Sequence, residues 1–551
     1  MRRSSRCALG MTVLALLFAG GCGGGQPAGP APQPSADALP GGTYTYPLSR
    51  NPEGIEPKTI REREGMQVAH QVFQGLAAYE LQPDGALLAR PALAESWTVD
   101  ASATVFTFHL RRGVRFQPPV AREVTAADVA RSWDRITDAR RPAPLARILA
   151  PIRGLDERGK QTDEQAGLAG VAVLDRYTLR VTLRYPFAEF PQTLGHPVAA
   201  VTPVDYIAHV GEAAYARAPV GTGPYRVQSW RKGEGIQLVA VSEYWNKSER
   251  PQLDRISMPV IADTADRWRR FAAGELDIIR VSPGWRRDAA TRRHVGRGEW
   301  LVQAWPRLSV RLIGIRMTDG ELGGASGEAG LARRRALALA TDADAVAAAL
   351  HDVPLAGTGV VPPGVPGFRD AQTPYDYDPP AAIRLLEETG HPKLQVSFAD
   401  EESTESSVIA ATLARSWREV GIVARRKQPA GLPSPPATDD SPLFALSWTA
   451  DYPSMDAFLS PLFHSGGHSG TQYHSETVDG LLYQARATLD DVQRQNFYAQ
   501  AEKTILADAA CIPLCFERDL WVNSTRIASQ VVDPLGFIDM WKLYRQRRGK
   551  R

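Results

Sequence analysis

Hydrophobic side chains recur along this chain with two different periods. Residues 178–185 and 394–398 alternate apolar and polar positions, which is typical of a strand with one buried face. Elsewhere the apolar positions recur every three or four residues, as an amphipathic helix requires. One such segment contains Val129, Trp133 and Ile136, and a second contains Ile409, Leu413, Trp417 and Val420. Strands and helices of ordinary length therefore alternate, and this order predicts an α/β fold.

The ends of several predicted helices carry recognisable signals. Thr125 and Asp128 have the spacing of a capping box, so a helix is expected to begin beside them. Asp378 is followed by Pro379, whose fixed backbone angle suits the first position of a helix. Gly421 directly follows another apolar stripe, where glycine commonly ends a helix.

The first residues have the pattern of a bacterial export signal. Arginines precede the apolar stretch 8–19, which is shorter than the roughly 20 residues of a membrane-spanning helix. The small residues before Cys22 resemble a lipobox, although Ala19 stands where Leu, Val or Ile is usual. The expected outcome is cleavage before Cys22 and lipidation of its thiol, and the alternative is a plain secretory signal cut nearby. In both cases residues 1–21 do not belong to the fold.

Residues 22–42 form a second segment without a core. They are mainly Gly, Pro, Ser, Ala and Gln, with Asp37 as the one charged side chain. Such a composition cannot bury enough apolar surface to fold, so we expect a flexible tether. A lipid anchor followed by a tether would hold the folded body close to a membrane surface.

Composition and charge exclude several classes of protein. Of the 551 residues, 43% are hydrophobic and 23% are charged, which is ordinary for a globular chain of two or three domains. The 64 basic and 61 acidic side chains nearly balance and form no long block of one sign, so nothing indicates a nucleic-acid partner. Beyond the signal, no segment is long and apolar enough to cross a membrane.

Two cysteines lie far from the N-terminus, in the sequence Cys511-Ile-Pro-Leu-Cys515. In a strand this spacing places both on one face about 13 Å apart, beyond the reach of a disulfide. In a helix the pair would suit a metal ion, but Pro513 disfavours a helix. We therefore expect two small buried side chains.

Consecutive blocks of the chain resemble one protein family. In order they are 91–97, 106–116, 124–129, 219–225, 244–245, 253–256, 273–277, 448–453 and 512–514. They are similar to the oligopeptide, dipeptide and nickel solute-binding proteins of ABC importers, the bacterial extracellular solute-binding family 5. The sequence departs from the family at Gln117–Val120 and in the Pro-rich stretch between Arg426 and Phe444, both of which would shape the rim of the pocket.

The resemblance implies a two-lobed periplasmic-binding-protein type II fold with an extra third domain. Domain I would be discontinuous, and a hinge would join the lobes. The implied division is 43–80, 200–290 and 515–551 for domain I, 81–199 for domain II, and 291–514 for domain III, the second lobe.

The resemblance also implies the function. The chain would be an extracytoplasmic, lipid-anchored monomer that captures peptides in the cleft between its lobes and delivers them to an ABC permease. A bound peptide would pair through its backbone like an added strand. No cofactor, metal or nucleic acid is implied.

Asp451 is the expected centre of the site. It follows the predicted strand 444–448, and open α/β sheets bind ligands beyond the carboxyl ends of their strands. The family's peptide-binding members hold the peptide α-ammonium with the matching aspartate, and the alternative is an aspartate that caps a turn before a proline. Trp448 and Tyr452 are expected to wall the site, and Tyr225, at the end of a Gly-Thr-Gly-Pro turn near the hinge, to line the cleft.

Other functions remain open at this point. His464, His468 and His474 could hold a metal, but glycines interrupt the intervening segment and favour a polar loop. The sequence contains no His-Glu-x-x-His motif, no Gly-x-Ser-x-Gly motif and no recognisable Cys/His nucleophile, so we do not expect a peptidase or another enzyme. A nickel chelate, haem, a sugar or a signalling ligand is the alternative to a peptide. Arg369 is a hypothetical partner for a ligand carboxylate.

Overall fold

A computed structural model describes residues 38–163, 167–282, 289–351, 353–370, 372–401, 403–427, 441–467 and 469–546. The export signal, Cys22 and most of the predicted tether lie outside the described residues, as does His468.

The strands of this part of the chain form several separate sheets. Their bounds are β1 Ala38–Leu39, β2 Thr43–Thr45, β3 Ala77–Leu81, β4 Leu87–Pro91, β5 Ala94–Val99, β6 Val105–Leu110, β7 Val171–Asp175, β8 Thr178–Thr182, β9 Tyr225–Arg231, β10 Gly235–Ala240, β11 Arg255–Pro259, β12 Ile278–Val281, β13 Trp300–Ile315, β14 Leu355–Ala356, β15 Leu394–Ala399, β16 Ile422–Lys427, β17 Leu443–Thr449, β18 Cys511–Ser524, β19 Ile527–Ala528 and β20 Tyr544–Gln546.

The helices lie between these strands along the chain, singly or in groups of two or three. They are α1 Arg63–Val72, α2 Ala126–Ile136, α3 Phe190–Thr193, α4 Val204–Val210, α5 Glu212–Arg217, α6 Thr264–Ala272, α7 Ala289–Gly296, α8 Gly327–Leu339, α9 Ala343–Ala349, α10 Pro379–Glu388, α11 Thr404–Glu419, α12 Asp456–Phe463, α13 Glu476–Ala487 and α14 Asp491–Ala507. In these described helices no segment is long and apolar enough to cross a bilayer.

The predicted helix ends are confirmed. Thr125 and Asp128 form a reciprocal capping box at the start of α2. The side chain of Asp378 accepts a hydrogen bond from the backbone N–H of Ala381 and caps α10, with Pro379 at the first helical position. After α11 the chain turns at Gly421, whose φ of +84° lies in the left-handed region that glycine adopts without strain.

The first lobe contains two sheets around one hydrophobic core. The sheet β2-β11-β10-β9 falls in the ranges predicted for domain I, and the sheet β5-β6-β8-β7 in the range predicted for domain II. Tyr44 of the first sheet, Phe106 of the second and Trp133 of α2 belong to the same cluster of buried side chains. Because the two sheets share this core, we treat them as one body.

The second lobe is built on a sheet that also extends into the first. Its strand order is β12-β18-β13-β17-β15-β16, and β14 pairs with β18. One core lies between this sheet and helices α12 to α14, and a second core lies between the sheet and helices α8 to α11. The prediction of a two-lobed α/β fold is confirmed.

Two long strands connect the lobes. β13 pairs with β18 in two stretches, from Trp300 to Pro306 and again from Val310 to Gly314, and the register shifts between Pro306 and Val310. In the first stretch β18 also pairs with β12, and in the second stretch β13 also pairs with β17. The irregular segment between the stretches is therefore where the strands pass from one lobe to the other.

The end of the predicted tether needs a correction. Ala38–Leu39 form β1, which pairs with Arg545 and Gln546 of β20. The backbone N–H of Gly42 donates to Asp254 Oδ2 at 2.8 Å. Because these backbone groups are paired with the first lobe, residues 38–42 belong to the folded body rather than to the tether.

The two cysteines are buried and unbonded to each other, as predicted. They do not share a face of β18, however, because Cys511 packs into the core with α12 to α14 and Cys515 into the core with α8 to α11. Arg311 is opposite Cys515 and Leu312 is opposite Pro513, so Leu514 is an extra residue in the strand. Such a bulge reverses the alternation of faces.

Candidate functional site

Asp451 follows a strand that is only half paired on one side. β17 pairs with β13 along its whole length, from Leu443 to Thr449. On its other side it pairs with β15 only at Leu443 and Phe444. Among the described residues no strand covers the remaining edge, 445–449. A free edge of this kind is where an extended peptide can add as a further strand.

The carboxylate of Asp451 is paired with an arginine from the other lobe. Nε of Arg147 donates to Oδ2 of Asp451 at 2.8 Å, and Nη2 donates to Oδ1 at 2.8 Å. This two-point geometry is the strong form of an arginine–carboxylate pair. The Asp451 side chain is 28% exposed and that of Arg147 is 47% exposed, so the pair is accessible to solvent.

Sequence reasoning missed Arg147. It lies in a short 3-10 turn, Ala146–Leu149, in domain II, and 304 residues separate it from Asp451. No local pattern around it indicates a binding residue. Only the contact between the lobes brings the two charges together.

A buried histidine lies beside the pair. Burial lowers the pKa of His196 to about 4; Asp451 raises this pKa and Arg147 lowers it, both more weakly. Its Nδ1 accepts a hydrogen bond from the backbone N–H of Val198 at 3.2 Å. His196 is therefore neutral near pH 7 and adds no positive charge that would compete for the carboxylate.

The two aromatic residues predicted to wall the site, Trp448 and Tyr452, are both partly buried. Trp448 is partly buried against the second lobe, and its Nε1 donates to the carbonyl of Ala457 at 2.8 Å. Tyr452 packs against the cores of both lobes and meets Phe187 edge-on, with 6.3 Å between ring centroids. Tyr452 thus belongs to the contact between the lobes.

The position of Tyr225 corrects the prediction that this residue lines the cleft. Its side chain has no exposed surface, and its hydroxyl donates to the carbonyl of Leu253 at 3.1 Å within the first lobe. Alternating sequence patterns do not distinguish a core tyrosine from one that lines a cleft. Because a solute could reach this ring only after repacking of the core, we remove Tyr225 from the candidate site.

The lobes also touch beside Tyr452. The hydroxyl of Ser454 donates to Glu189 Oε2 at 2.7 Å, and the backbone N–H of Ala188 donates to the carbonyl of Arg486 at 2.8 Å. Arg486 in turn holds the buried carboxylate of Asp456 through two hydrogen bonds. This contact positions domain II, and with it Arg147, against the end of β17.

A cavity of about 700 Å³ lies beside the hinge strands. Residues of α6 and β12 line it from the first lobe, α9 and α11 line it from the second, and β13 and β18 line the space between them. Its lining is rich in charge: Arg267, Arg280, Arg307, Arg311 and Arg518 face Glu405, Glu517 and Asp519. A cavity that both lobes line is a suitable place for a polar solute.

The charges of this cavity are largely paired. Arg311 donates to Glu517 at 2.6 Å and to Glu405 at 2.6 Å. Burial alone would raise the pKa of Glu517, but Arg311 and Arg307 hold it below its ordinary value. Glu405 is 59% exposed, so a ligand carboxylate could take its place beside Arg311 without leaving a buried charge behind.

Hydrogen bonds connect the cavity with the end of β17. The hydroxyl of Thr449 donates to Ser309, and the hydroxyl of Ser309 donates to Glu517, both at 2.9 Å. Arg311 lies opposite Ser447 in the β13–β17 register. Ser447 precedes Asp451 by four residues, so an extended chain would cover about 13 Å between these positions.

The structure also locates Arg369 and His464, for which the sequence suggested a ligand or a metal ion. Arg369 is exposed, donates to Asn496 and does not line the cavity. Nε2 of His464 lies 3.9 Å from Oδ1 of Asp479. The described residues contain no group of three His, Cys, Asp or Glu side chains that could hold a metal ion.

Comparison with known proteins agrees with this architecture. Residues 89–470 match the model of the bacterial extracellular solute-binding proteins, family 5. Heme-binding protein A of Haemophilus influenzae is 26% identical over 528 residues, covering 92% of each chain. Glutathione-binding protein GsiB of Escherichia coli is 27% identical over 497 residues, covering 87% of this chain and 90% of that protein.

Solved structures show the same fold. The unliganded open form of the periplasmic murein tripeptide-binding protein MppA superposes with a TM-score of 0.81 at 19% identity, covering 95% of this chain and all of that chain. The type II binding-protein fold is thereby confirmed. Members of the matched family are solute-binding proteins of ABC importers rather than enzymes. The family model covers well over half of the sequence, and the chain therefore belongs to family 5 of the bacterial extracellular solute-binding proteins.

Proposed function

We propose that this protein captures peptides or peptide-like solutes between its lobes and delivers them to an ABC permease. The observation that carries the proposal is the position of Asp451, at the end of a strand that has a free edge and that hydrogen bonds connect with a cavity lined by both lobes. The carboxylate would accept the ligand's ammonium, because charge-assisted hydrogen bonds of this kind are strong.

The free edge gives the ligand backbone its place. An extended peptide along 445–449 would make main-chain hydrogen bonds that do not depend on its sequence. Its far end would reach the cavity near Arg311, about 13 Å from Asp451 in an extended strand. A ligand carboxylate there would compete with the exposed Glu405 for the guanidinium. About four residues would fill this span.

The remainder of the proposal concerns location. Cys22 would carry a lipid, residues 23–37 would form the tether, and the folded body would work as a monomer on the outer side of a membrane. The small residues before Cys22 and the core-free composition of the tether support this arrangement.

Titration calorimetry with a pair of peptides tests whether binding depends on the ammonium group of the ligand. A tetrapeptide with a free N-terminus is compared with its N-acetylated form, which keeps the four residues, carries an added acetyl group and has lost the positive charge. We expect the free peptide to bind at least about tenfold more tightly, since a hydrogen bond to a charged group contributes enough for such a factor. Equal affinities of the two forms would contradict the role of Asp451.

Haem is the second candidate, because one relative is named as a haem-binding protein. The histidine beside Asp451 is not placed to ligate an iron, since His196 is buried and its Nδ1 accepts a backbone N–H. Adding haem to the purified protein and recording the absorbance of the Soret band tests this candidate directly. A saturable red shift at one haem per chain would favour it over a peptide.

A further inference from the structure

The first and the last described residues lie side by side. β1 and β20 run antiparallel, with Ala38 opposite Gln546 and Leu39 opposite Arg545. In an antiparallel pair the start of one strand lies beside the end of the other. The residues before Ala38 and the residues after Gln546 are therefore joined to the folded body at one place. This place, marked by Ala38 and Gln546, is the tether root.

The tether root has a defined position on the first lobe. On its other side β20 pairs with β19, where Ile527 is opposite Arg545. Ile527 belongs to the core of the first lobe. On the β1 side, the backbone N–H of Gly42 donates to Oδ2 of Asp254 at 2.8 Å. Both strands of the root are thus attached to the same body.

Positive charge is concentrated at the tether root. Residues 545–551 read Arg-Gln-Arg-Arg-Gly-Lys-Arg, with five basic side chains and no acidic one. Arg545 is exposed, and so is Arg255, which is opposite Thr43 in the pairing of β11 with β2. Residues 547–551 lie outside the described part of the chain, and only their sequence bears on the charge. A basic segment of this kind suits an anionic partner.

The tether sets the distance between the root and the membrane. If Cys22 carries a lipid, the 15 residues 23–37 join the membrane to the root. A chain of this length has a root-mean-square end-to-end distance of about 20 Å. The five residues after Gln546 span at most about 17 Å, and a charge acts over a further 8 Å or so at physiological salt. The basic side chains can therefore reach the lipid headgroups without stretching the tether.

We infer that residues 545–551 bind the anionic phospholipid headgroups of the membrane that holds the protein. The inference rests on the lipid at Cys22, which is part of the proposed function, and adds a second contact with the same membrane. An anionic lipid surface attracts Lys and Arg side chains, and a guanidinium donates two parallel hydrogen bonds to phosphate oxygens. Because the root has a defined position, this contact turns the β1–β20 side of the first lobe toward the membrane.

The contact acts together with the lipid and does not replace it. Salt screens the attraction between exposed charges, so a salt wash releases a protein that is held by this segment alone. A lipid chain combined with a basic segment gives a more stable attachment than either one. The lipid keeps the body at the membrane, and the basic segment orients it there.

Vesicles with and without anionic lipid test the contact. Vesicles of phosphatidylcholine alone are compared with vesicles that also contain phosphatidylglycerol, and bound protein is measured by co-sedimentation. Residues 23–551 are used, because they include every described residue and lack the cysteine that would be lipidated. Binding to these vesicles therefore reports the folded body and its basic segment without a lipid anchor.

Two variants remove the same number of charges from different places. The test variant leaves β20 unchanged and combines Arg547→Gln, Arg548→Gln, Lys550→Gln and Arg551→Gln. The control variant changes exposed side chains far from the root in sequence and combines Arg131→Gln, Arg158→Gln, Lys160→Gln and Arg180→Gln. Each variant replaces three arginines and one lysine, so the two have the same net charge. Thermal unfolding checks that both are folded.

The unsubstituted protein is expected to bind vesicles that contain phosphatidylglycerol and not those of phosphatidylcholine alone. Its affinity should fall as the salt concentration rises. The test variant should bind at least about tenfold more weakly, a factor that two engaged basic side chains already supply. The control variant should bind like the unsubstituted protein.

Three results would overturn the inference. They are equal binding to the two kinds of vesicle or binding to neither, unchanged affinity of the test variant, and an equal loss in the control variant. The last result would assign the attraction to net charge rather than to residues 545–551. Because the vesicle assay contains no lipid at Cys22, its failure leaves the proposed function standing. Failure of the proposed anchor shows instead as Cys22→Ser protein that stays on salt-washed membranes.

Discussion

Replacing Asp451 by Asn is expected to weaken ligand binding strongly while leaving the fold almost unchanged. The substitution keeps the size of the side chain and removes its charge. In the ligand-free protein it breaks the pair with Arg147, which is 47% exposed, and exposed pairs contribute only about 0–1 kcal/mol. The melting temperature should therefore fall by less than about 2 °C in a chain of this size.

The effect on binding should be much larger. A ligand ammonium held between the lobes is shielded from water, and removing the partner of a buried charge costs about 3–5 kcal/mol. Because 28% of the Asp451 side chain is exposed, we take the lower end of this range, which corresponds to about a hundredfold loss of affinity.

Titration calorimetry and thermal unfolding of the same samples separate the two effects. Asp376→Asn is the matched control, because Asp376 is an exposed aspartate of the second lobe. N-acetylation of the ligand should weaken binding to the wild type and the control, and have little further effect on Asp451→Asn, since the same interaction is already lost. Unchanged affinity in Asp451→Asn, or a large loss of stability, would refute the reasoning.

Three further outcomes are expected. Cys22→Ser should release the protein from membrane fractions into the soluble fraction, and continued membrane binding would place the anchor elsewhere. Small-angle scattering should give a smaller radius of gyration when a ligand is bound, and an unchanged radius with binding confirmed would contradict closure of the lobes. Burial raises the pKa of Glu502 to about 7, so its folded-state pKa exceeds the unfolded one and stability should fall as pH rises from about 4.5 to 7. Urea unfolding measures the change in the free energy of unfolding across this pH interval. Glu502→Gln should make that change smaller by about 3 kcal/mol. An unchanged pH dependence would show that Glu502 does not titrate there.

The sequence allowed the architecture to be predicted because local signals and global order agree. The capping box at Thr125 and the proline after Asp378 each mark a helix that the structure contains. Asp451 could be placed at the end of a strand because the apolar alternation of 444–448 stops just before it. These features depend on neighbouring residues, and neighbouring residues are what a sequence shows.

Features that depend on distant parts of the chain could not be predicted. Arg147 joins Asp451 across 304 residues, and nothing near either residue indicates the partner. One extra residue at Leu514 moved Cys511 and Cys515 to opposite faces of β18, and no sequence rule locates such a bulge. Tyr225 follows a glycine turn that is typical of a ligand loop, yet its ring completes the core of the first lobe.

The most direct test of the central claim is to identify the solute that the protein retains. Native mass spectrometry of the purified protein would give the mass of the complex, and the ligand released on unfolding would then be identified by fragmentation. The account predicts one small peptide-like molecule per chain with a free ammonium group. A metal chelate, a haem or a neutral sugar in the same position would contradict it.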